Sequence, residues 1–338
     1  MTAEETGGLI DVHSHATPTA LLDWLAGQGL ADVTEVETGT VRLAPEVSGV
    51  AEGTPIPLHR SQYDVDHRLA DMDRMGVWRQ AVSLPPFVTC SGAADTGLAR
   101  EVVARGNDAL AAFTARGGGR LLPLGTVPLG VPESVEEARR CLDELGCAGI
   151  AIGSHGAGRE LDDPVHEPLW ELLAERRTFV FLHPNAVSGG ARLHAYWLPQ
   201  LVGYPAETAL AASRLIFGGV LERHALTLCL AHGGGCLPAL EGRLDLGWHR
   251  KAVARTVPLP PSAYLGRLYL DTATFSARLL ERLIEDFGAD RVLLGTDYPF
   301  ELADTEPAAT LDALAIGPAD RARVGSANAR QLLGHRDL

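Results

Sequence analysis

Apolar, β-branched or leucine-rich runs recur eight times along the chain, near 9–13, 79–84, 121–127, 148–153, 178–183, 227–232, 267–272 and 292–296. Runs of this kind read as parallel strands buried on both faces. The segments between them carry apolar residues at helical spacing. Pro132–Leu145 starts with proline and acids and stops at Gly146, and Pro168–Arg176 has the same form. Strands and helices alternating in this number predict an α/β fold, a (β/α)8 TIM barrel, as one domain over 1–338. Two stretches break the rhythm. The segment 30–62, rich in Thr, Val, Gly and Pro, predicts a small hairpin or lid inserted after strand one. Val187–Gly203, which carries Tyr196-Trp197-Leu-Pro199, predicts a second long loop. Because they follow strands one and five, both are expected over the barrel mouth. No repeat, low-complexity tract or linker marks a second domain.

Composition narrows the function classes. The 338 residues are 46% hydrophobic, enough for a large core, and 29 basic against 43 acidic side chains give a net charge of -14. An acidic chain argues against nucleic acid or an anionic membrane as partner. The five cysteines, Cys90, Cys141, Cys147, Cys229 and Cys236, form no CxxC pair, so neither a disulfide framework nor a thiolate metal site is expected, and a reducing cytoplasm fits. The acidic start, Met1–Glu5, has no cationic stretch ahead of an apolar one, and no segment is long enough for a membrane span.

The chemistry begins at His13-Ser-His15. Imidazoles at i and i+2 on an extended segment share a face and can reach one cation. Three distant segments match that context: Phe181-Leu-His183-Pro184, Leu230-Ala-His232-Gly-Gly-Gly235 and Leu294-Gly-Thr-Asp297-Tyr-Pro299. In each, an apolar run delivers a polar side chain at its C-terminal end, where barrel enzymes gather their active sites. Taken singly, such a histidine is more often a core residue, and such an aspartate a helix cap. Taken together, His13, His15, His183 and Asp297 predict a site for Zn²⁺ or a similar divalent ion, with a position left for water. Binuclear barrels of this type bridge their metals with a carbamylated lysine on strand four. Gly149–His155 contains none, Lys251 being the only lysine, so one ion is expected. Water on such an ion has its pKa lowered to about 7. His232 is then placed as general base and acid, with the glycines after it permitting close backbone approach.

These residues resemble the amidohydrolase superfamily, of the amidohydrolase 2 type, and within it the family of 2-amino-3-carboxymuconate-6-semialdehyde decarboxylase. Ile10-Asp-Val-His-Ser-His15, Arg68-Leu-Ala-Asp-Met-Asp73, Leu124-Gly-Thr-Val-Pro128 and the long block Tyr196–Thr208 carry the resemblance. So do Gly218-Gly-Val, Gly242-Arg243 and Gly295-Thr-Asp-Tyr-Pro-Phe300. The resemblance implies a barrel with one zinc, catalysis by His232, and a substrate carboxylate held by Arg68 and Arg243, whose forks suit it. It also implies a homodimer in which Arg250 or Lys251 reaches the partner's site, and it places Trp197 on the pocket. Departures are Phe275, where the decarboxylase carries histidine, the segment Ser83–Thr89, and the longer lid. The leading expectation is a zinc-dependent, non-oxidative decarboxylase of a small unsaturated or aromatic carboxylate. The alternative, which Phe275 and the lid favour, is a hydrolase, hydratase or ring-forming cyclase acting on an aromatic amino or hydroxy acid in secondary metabolism. A non-catalytic binding protein would have no use for His232.

Overall fold

The computed structural model describes residues 8–333 except 91, 94, 188 and 194; the acidic start Met1–Glu5 lies outside the described residues. Eight parallel strands stand side by side in chain order. They are β1 (Leu9–His15), β2 (Val77–Ser83), β3 (Leu121–Thr126), β4 (Gly149–Ile152), β5 (Phe179–Leu182), β6 (Thr227–Leu230), β7 (Tyr269–Asp271) and β8 (Val292–Leu293). The two outer members meet. The Val12 N–H donates to the Leu294 carbonyl at 2.8 Å, Asp297 N–H to His13 at 2.9 Å and His15 N–H to Tyr298 at 2.8 Å. Each apolar run of the sequence holds one strand, so the barrel is the predicted one. Its interior is filled by Ile10, Val12, Leu124, Phe179, Phe181 and Leu293. Side chains of this size are worth roughly 1.5–3 kcal/mol each when fully buried.

The helices start and stop on chemistry visible in the chain. Asp64 caps Val65–Met75 by accepting from His67 N–H at 3.0 Å, and Gly76 ends it at φ 71°. Helix Ala277–Phe287 buries Leu280, Leu283 and Ile284, one apolar stripe at helical spacing. The helix expected over 132–145 forms as Ser134–Asp143. Residues 30–62 fold as a three-stranded antiparallel sheet of Ala31–Asp32, Thr40–Leu43 and Ile56–Pro57. Its buried residues, Val41, Leu43, Ile56 and Leu58 among them, join a cluster with Leu21, Leu25 and Met72. The short helix Pro45–Ser48 of the same segment touches the loop after β2, where Cys90 N–H donates to the Val47 carbonyl at 3.3 Å.

The rim of the barrel is under backbone strain. Cys90, Ala157, Tyr196, Trp197, His232, Phe275 and Asp297 all have positive φ, between 47° and 61°. They lie in the connections after β2, β4, β5, β6, β7 and β8, the end at which this fold places its active sites. Left-handed residues other than glycine cost about 1–3 kcal/mol each and collect at functional sites. All five cysteines are free, and among the described residues no helix is long and apolar enough to cross a membrane.

Candidate active site

β1 ends in His13 and His15, whose rings meet edge-on with centroids 5.2 Å apart. His183, one residue past β5, brings its ring to 5.1 Å and 5.0 Å from theirs. Asp297, past β8, sets Oδ1 3.1 Å from His13 Nε2 and 3.3 Å from His15 Nε2. All four side chains are buried, and their potential ligand atoms lie within 4.8 Å of one another. Within this group His13 Nε2, His15 Nε2 and Asp297 Oδ1 make no hydrogen bond among the described residues. A buried polar atom left unpaired costs about 1–3 kcal/mol, so three converging ones call for a partner. Three imidazoles and a carboxylate are the donor set of a borderline divalent cation, which the residues therefore fit. When bound, such an ion supplies Lewis acidity at the barrel mouth.

Outer contacts aim the ligands. His13 Nδ1 lies 2.6 Å from Asp271 Oδ2, so Nδ1 carries the proton and Nε2 is left to ligate. His183 Nδ1 donates to the Pro184 carbonyl at 2.8 Å, and His15 Nδ1 is 3.1 Å from Ser83 Oγ. Asp271 also accepts at Oδ1 from Gly233 N–H, 2.8 Å away, and thereby ties the β6 turn to the metal ligands. Gly295 makes the approach possible, since a Cβ there would stand 2.8 Å from Asp271 Cβ and 2.9 Å from His13 Cβ. Sequence reasoning missed Asp271. It ends an apolar run as His183 and Asp297 do, but Thr272 follows it, where proline follows His183, glycine follows His232 and tyrosine-proline follows Asp297.

Electrostatics separates the histidines. Burial pushes His15 down and His183 well down, which keeps both as neutral imidazoles able to bind a cation. Burial opposes charge on His13 as well, but Asp297 and Asp271 on either side outweigh it and raise its pKa to about 10; that second proton sits on Nε2, so a cation bound there takes the proton's place. Asp297 is held well below the ordinary carboxylate range: His13 beside it overcomes the effect of burial. Beneath the site, burial lifts Asp11 to about 6 despite its bond from Thr296.

His232 follows β6 at φ 58° and presents Nε2 3.6 Å from Asp297 Oδ2. It stands beside the four-residue cluster rather than in it. The Tyr204 ring lies nearly parallel to it at 6.5 Å, and burial pushes that phenol up to about 12. The glycines after His232 do what the sequence suggests. A Cβ on Gly235 would come within 2.2 Å of the Pro205 carbonyl oxygen.

A metal-type site at the C-terminal mouth of an eight-stranded barrel is shared by many proteins, and comparison narrows the choice. The amidohydrolase family profile matches residues 10–335. The chain belongs to the amidohydrolase family. Among curated proteins, this amidohydrolase is 36% identical over 256 residues to 2-amino-3-carboxymuconate-6-semialdehyde decarboxylase of Dictyostelium discoideum, covering 75% of this chain and 71% of that one. It is 32% identical over 297 residues to gamma-resorcylate decarboxylase of Rhizobium sp., covering 81% and 88%. Among solved structures it is similar to a dihydroxybenzoic acid decarboxylase from Polaromonas sp., with bound manganese and the inhibitor 2-nitroresorcinol. The TM-score is 0.76, identity is 26%, and 97% and 98% of the two chains are covered.

The remaining residues named from the amidohydrolase sequence stand outside the four-residue ligand cluster. Arg68 is fully buried, and its guanidinium is spent on the protein. Nε donates to Gln80 Oε1 at 2.9 Å, one terminal nitrogen to the His15 carbonyl at 2.8 Å and Ser61 carbonyl at 3.2 Å, and the other to Ser14 Oγ at 2.8 Å. It therefore braces the ligand-bearing strand and offers no free fork to a substrate carboxylate. The spacing contained this: Val65, Arg68, Met72 and Met75 form the buried stripe of their helix. Trp197 and Phe275 are 59% and 56% exposed. Arg243, Arg250 and Lys251, on and just after helix Leu237–Arg250, are exposed as well. In the single chain none of these five lines the cavity that adjoins His183.

Proposed function

We propose that the protein is a metal-dependent carboxy-lyase that releases CO2 from a small aromatic or unsaturated carboxylate without oxidation. The observation that carries this reading is the group of four buried ligand residues with unpaired atoms, with His232 beside it and outside it. The decarboxylase relatives give the reaction class. His13, His15, His183 and Asp297 hold one ion, and zinc is our reading of its identity, on the strength of three imidazole donors. The manganese in the Polaromonas relative makes that ion the alternative.

His232 moves the proton. It delivers one to the carbon that bears the carboxylate, the carbon–carboxylate bond breaks, its electron pair returns to the ring, and CO2 departs; solvent restores the proton. Tyr204 keeps water from one face of the imidazole. The exposed Trp197, Phe275 and Arg243, with Arg250 or Lys251, take part where a second copy of the chain covers them. The exposed Leu201, Val202, Leu210 and Leu246, on or beside helices Tyr204–Phe217 and Leu237–Arg250, support such a homodimer. The sheet of residues 30–62 is a lid of the same domain, and the free thiols suit a reducing cytoplasm.

Zinc-loaded and manganese-loaded protein, given a panel of hydroxybenzoates and unsaturated amino acids, is expected to release CO2 from at least one. A product that has gained or lost water instead would favour the hydrolase or cyclase reading. No CO2 from any acid with either metal would refute the decarboxylase.

A further inference from the structure

A second group of metal-ligating side chains stands apart from the catalytic cluster. His59 lies between the short strand Ile56–Pro57 and the helix Val65–Met75, and His67 and Asp71 stand at i and i+4 on that helix. Residues at that spacing share one helix face. One potential ligand atom from each of the three lies within 4.8 Å of the other two. None of them belongs to the group of His13, His15, His183 and Asp297.

The carboxylate is built in. Burial works against charge on Asp71, but hydrogen bonds from Tyr298, Ser61 and Arg74 outweigh it and hold the carboxyl below its ordinary range. Ser61 Oγ donates to Oδ2 at 2.8 Å, and Arg74 donates to Oδ1. The Tyr298 hydroxyl reaches both Oδ2 and Ser61 Oγ but has one proton to give. When Ser61 takes that proton, Oδ2 keeps a lone pair for a cation. His67 Nε2 is 3.8 Å from Oδ2, too far for a hydrogen bond. Donor atoms on a tetrahedral zinc ion stand about 3.3 Å apart, so a small movement of this half-buried side chain brings the pair to that separation. His59 is exposed and engages Ser61 through Nδ1, with Oγ 3.0 Å away, while its Nε2 makes no hydrogen bond among the described residues. Burial pushes the His59 pKa down, against the pull of Asp71, so the imidazole is neutral and able to ligate near neutral pH.

We propose that His59, His67 and Asp71 form a second metal site, which takes one borderline divalent cation such as zinc through two imidazoles and a carboxylate, with water as the fourth ligand. Its three protein ligands, two of them outside the core, make it weaker than the catalytic centre with its four buried ones. Ser61 and Tyr298 serve as outer partners that aim the carboxylate. Arg74 opposes the ion by its charge, but its side chain is 72% exposed and free to turn into solvent. Nothing in this site depends on the decarboxylase reading.

The test is calorimetric titration of zinc, near neutral pH, into untagged protein that has been zinc-loaded and desalted so that its catalytic centre is filled. One further ion per chain is expected to bind. Magnesium, which prefers oxygen ligands, should give no such event. His59→Ala and His67→Ala should each weaken the second ion at least about tenfold, since each removes one of three ligands. Both variants should keep the first ion, read by metal analysis, which separates loss of the site from loss of the fold. If one of them fails to hold that first ion, the other decides. The absence of a second zinc ion in the parent, parental affinity for it in a histidine variant that holds the first ion, or magnesium binding as tightly as zinc overturns the proposal.

Discussion

Replacing Asp271 by asparagine changes one oxygen to an amide nitrogen and leaves the shape of the side chain in place. The consequence is a reversed hydrogen bond. In the native protein Asp271 Oδ2 faces His13 Nδ1 at 2.6 Å and Oδ1 accepts from Gly233 N–H at 2.8 Å and Ala273 N–H at 3.1 Å. Two backbone donors hold the asparagine oxygen at the Oδ1 position, so its NH2 must turn toward His13. An NH2 facing Nδ1 can only donate, which drives the imidazole proton onto Nε2, the atom that aims at the ligand cluster. Loss of such an outer partner typically weakens metal binding 10–100-fold, about 1.4–2.7 kcal/mol. Competition for the metal against a chelator of known affinity, read by metal analysis, measures this directly. Asp271→Ala should lose about as much affinity and also lower the unfolding free energy by about 1–3 kcal/mol for each backbone N–H it strands. An asparagine variant that holds metal as tightly as the parent would refute the reasoning.

Alanine at His13, His15, His183 or Asp297 is expected to reduce metal content well below one ion per chain. His232→Ala should keep its metal and lose at least 100-fold in turnover; metal analysis and CO2 release on the same samples check both, and metal loss from His232→Ala would place that residue among the ligands. Arg68→Met should destabilise the fold in urea unfolding by about 1–3 kcal/mol for each buried oxygen it leaves unpaired among those that Arg68 now satisfies. A raised KM with unchanged stability would return Arg68 to the substrate. Glu167, which Arg223 and His224 hold down at about 2, contributes stability above its ordinary value of 4.5 that is lost as pH falls toward 2. Glu167→Gln should therefore flatten the fall of Tm between pH 5 and 2.5, and an unchanged slope would remove the ion pairs from the account.

The barrel and its ligands were legible because they depend on local patterns. A strand buried on both faces must be apolar, and a metal ligand must interrupt that run at its end, so position and chemistry coincide at His13, His183 and Asp297. What escaped depends on direction. Asp271 sits at a strand end like the ligands but grips His13 from behind, and no property of Leu270-Asp271-Thr272 distinguishes the two roles. Arg68 was misplaced for the opposite reason: the surrounding motif suggested a function, while the helical period had already turned the side chain inward. Trp197, Arg243 and Phe275 are exposed in the single chain, and the spacing of a sequence does not say what an exposed side chain meets. The segment 30–62 announced itself by length and composition, but its third strand, Ile56–Pro57, is too short to show a period.

The strained rim divides the mouth of the barrel into two inheritances. Strands β1, β5, β6, β7 and β8 supply the ligands, His232 and Asp271, and are knotted together by hydrogen bonds that leave little room for substitution. The ends of β2, β3 and β4 supply most of the cavity wall, and among the described residues there Ser83 Oγ and the Leu84 backbone are what reach a ligand imidazole, His15. Mutations on that side can redraw the pocket without disturbing the metal. An ancestor with this layout could change its diet while keeping its chemistry, and the places to look for such changes are the few positions from Leu84 to Val88, Val127 to Val131 and Gly153 to Ala157.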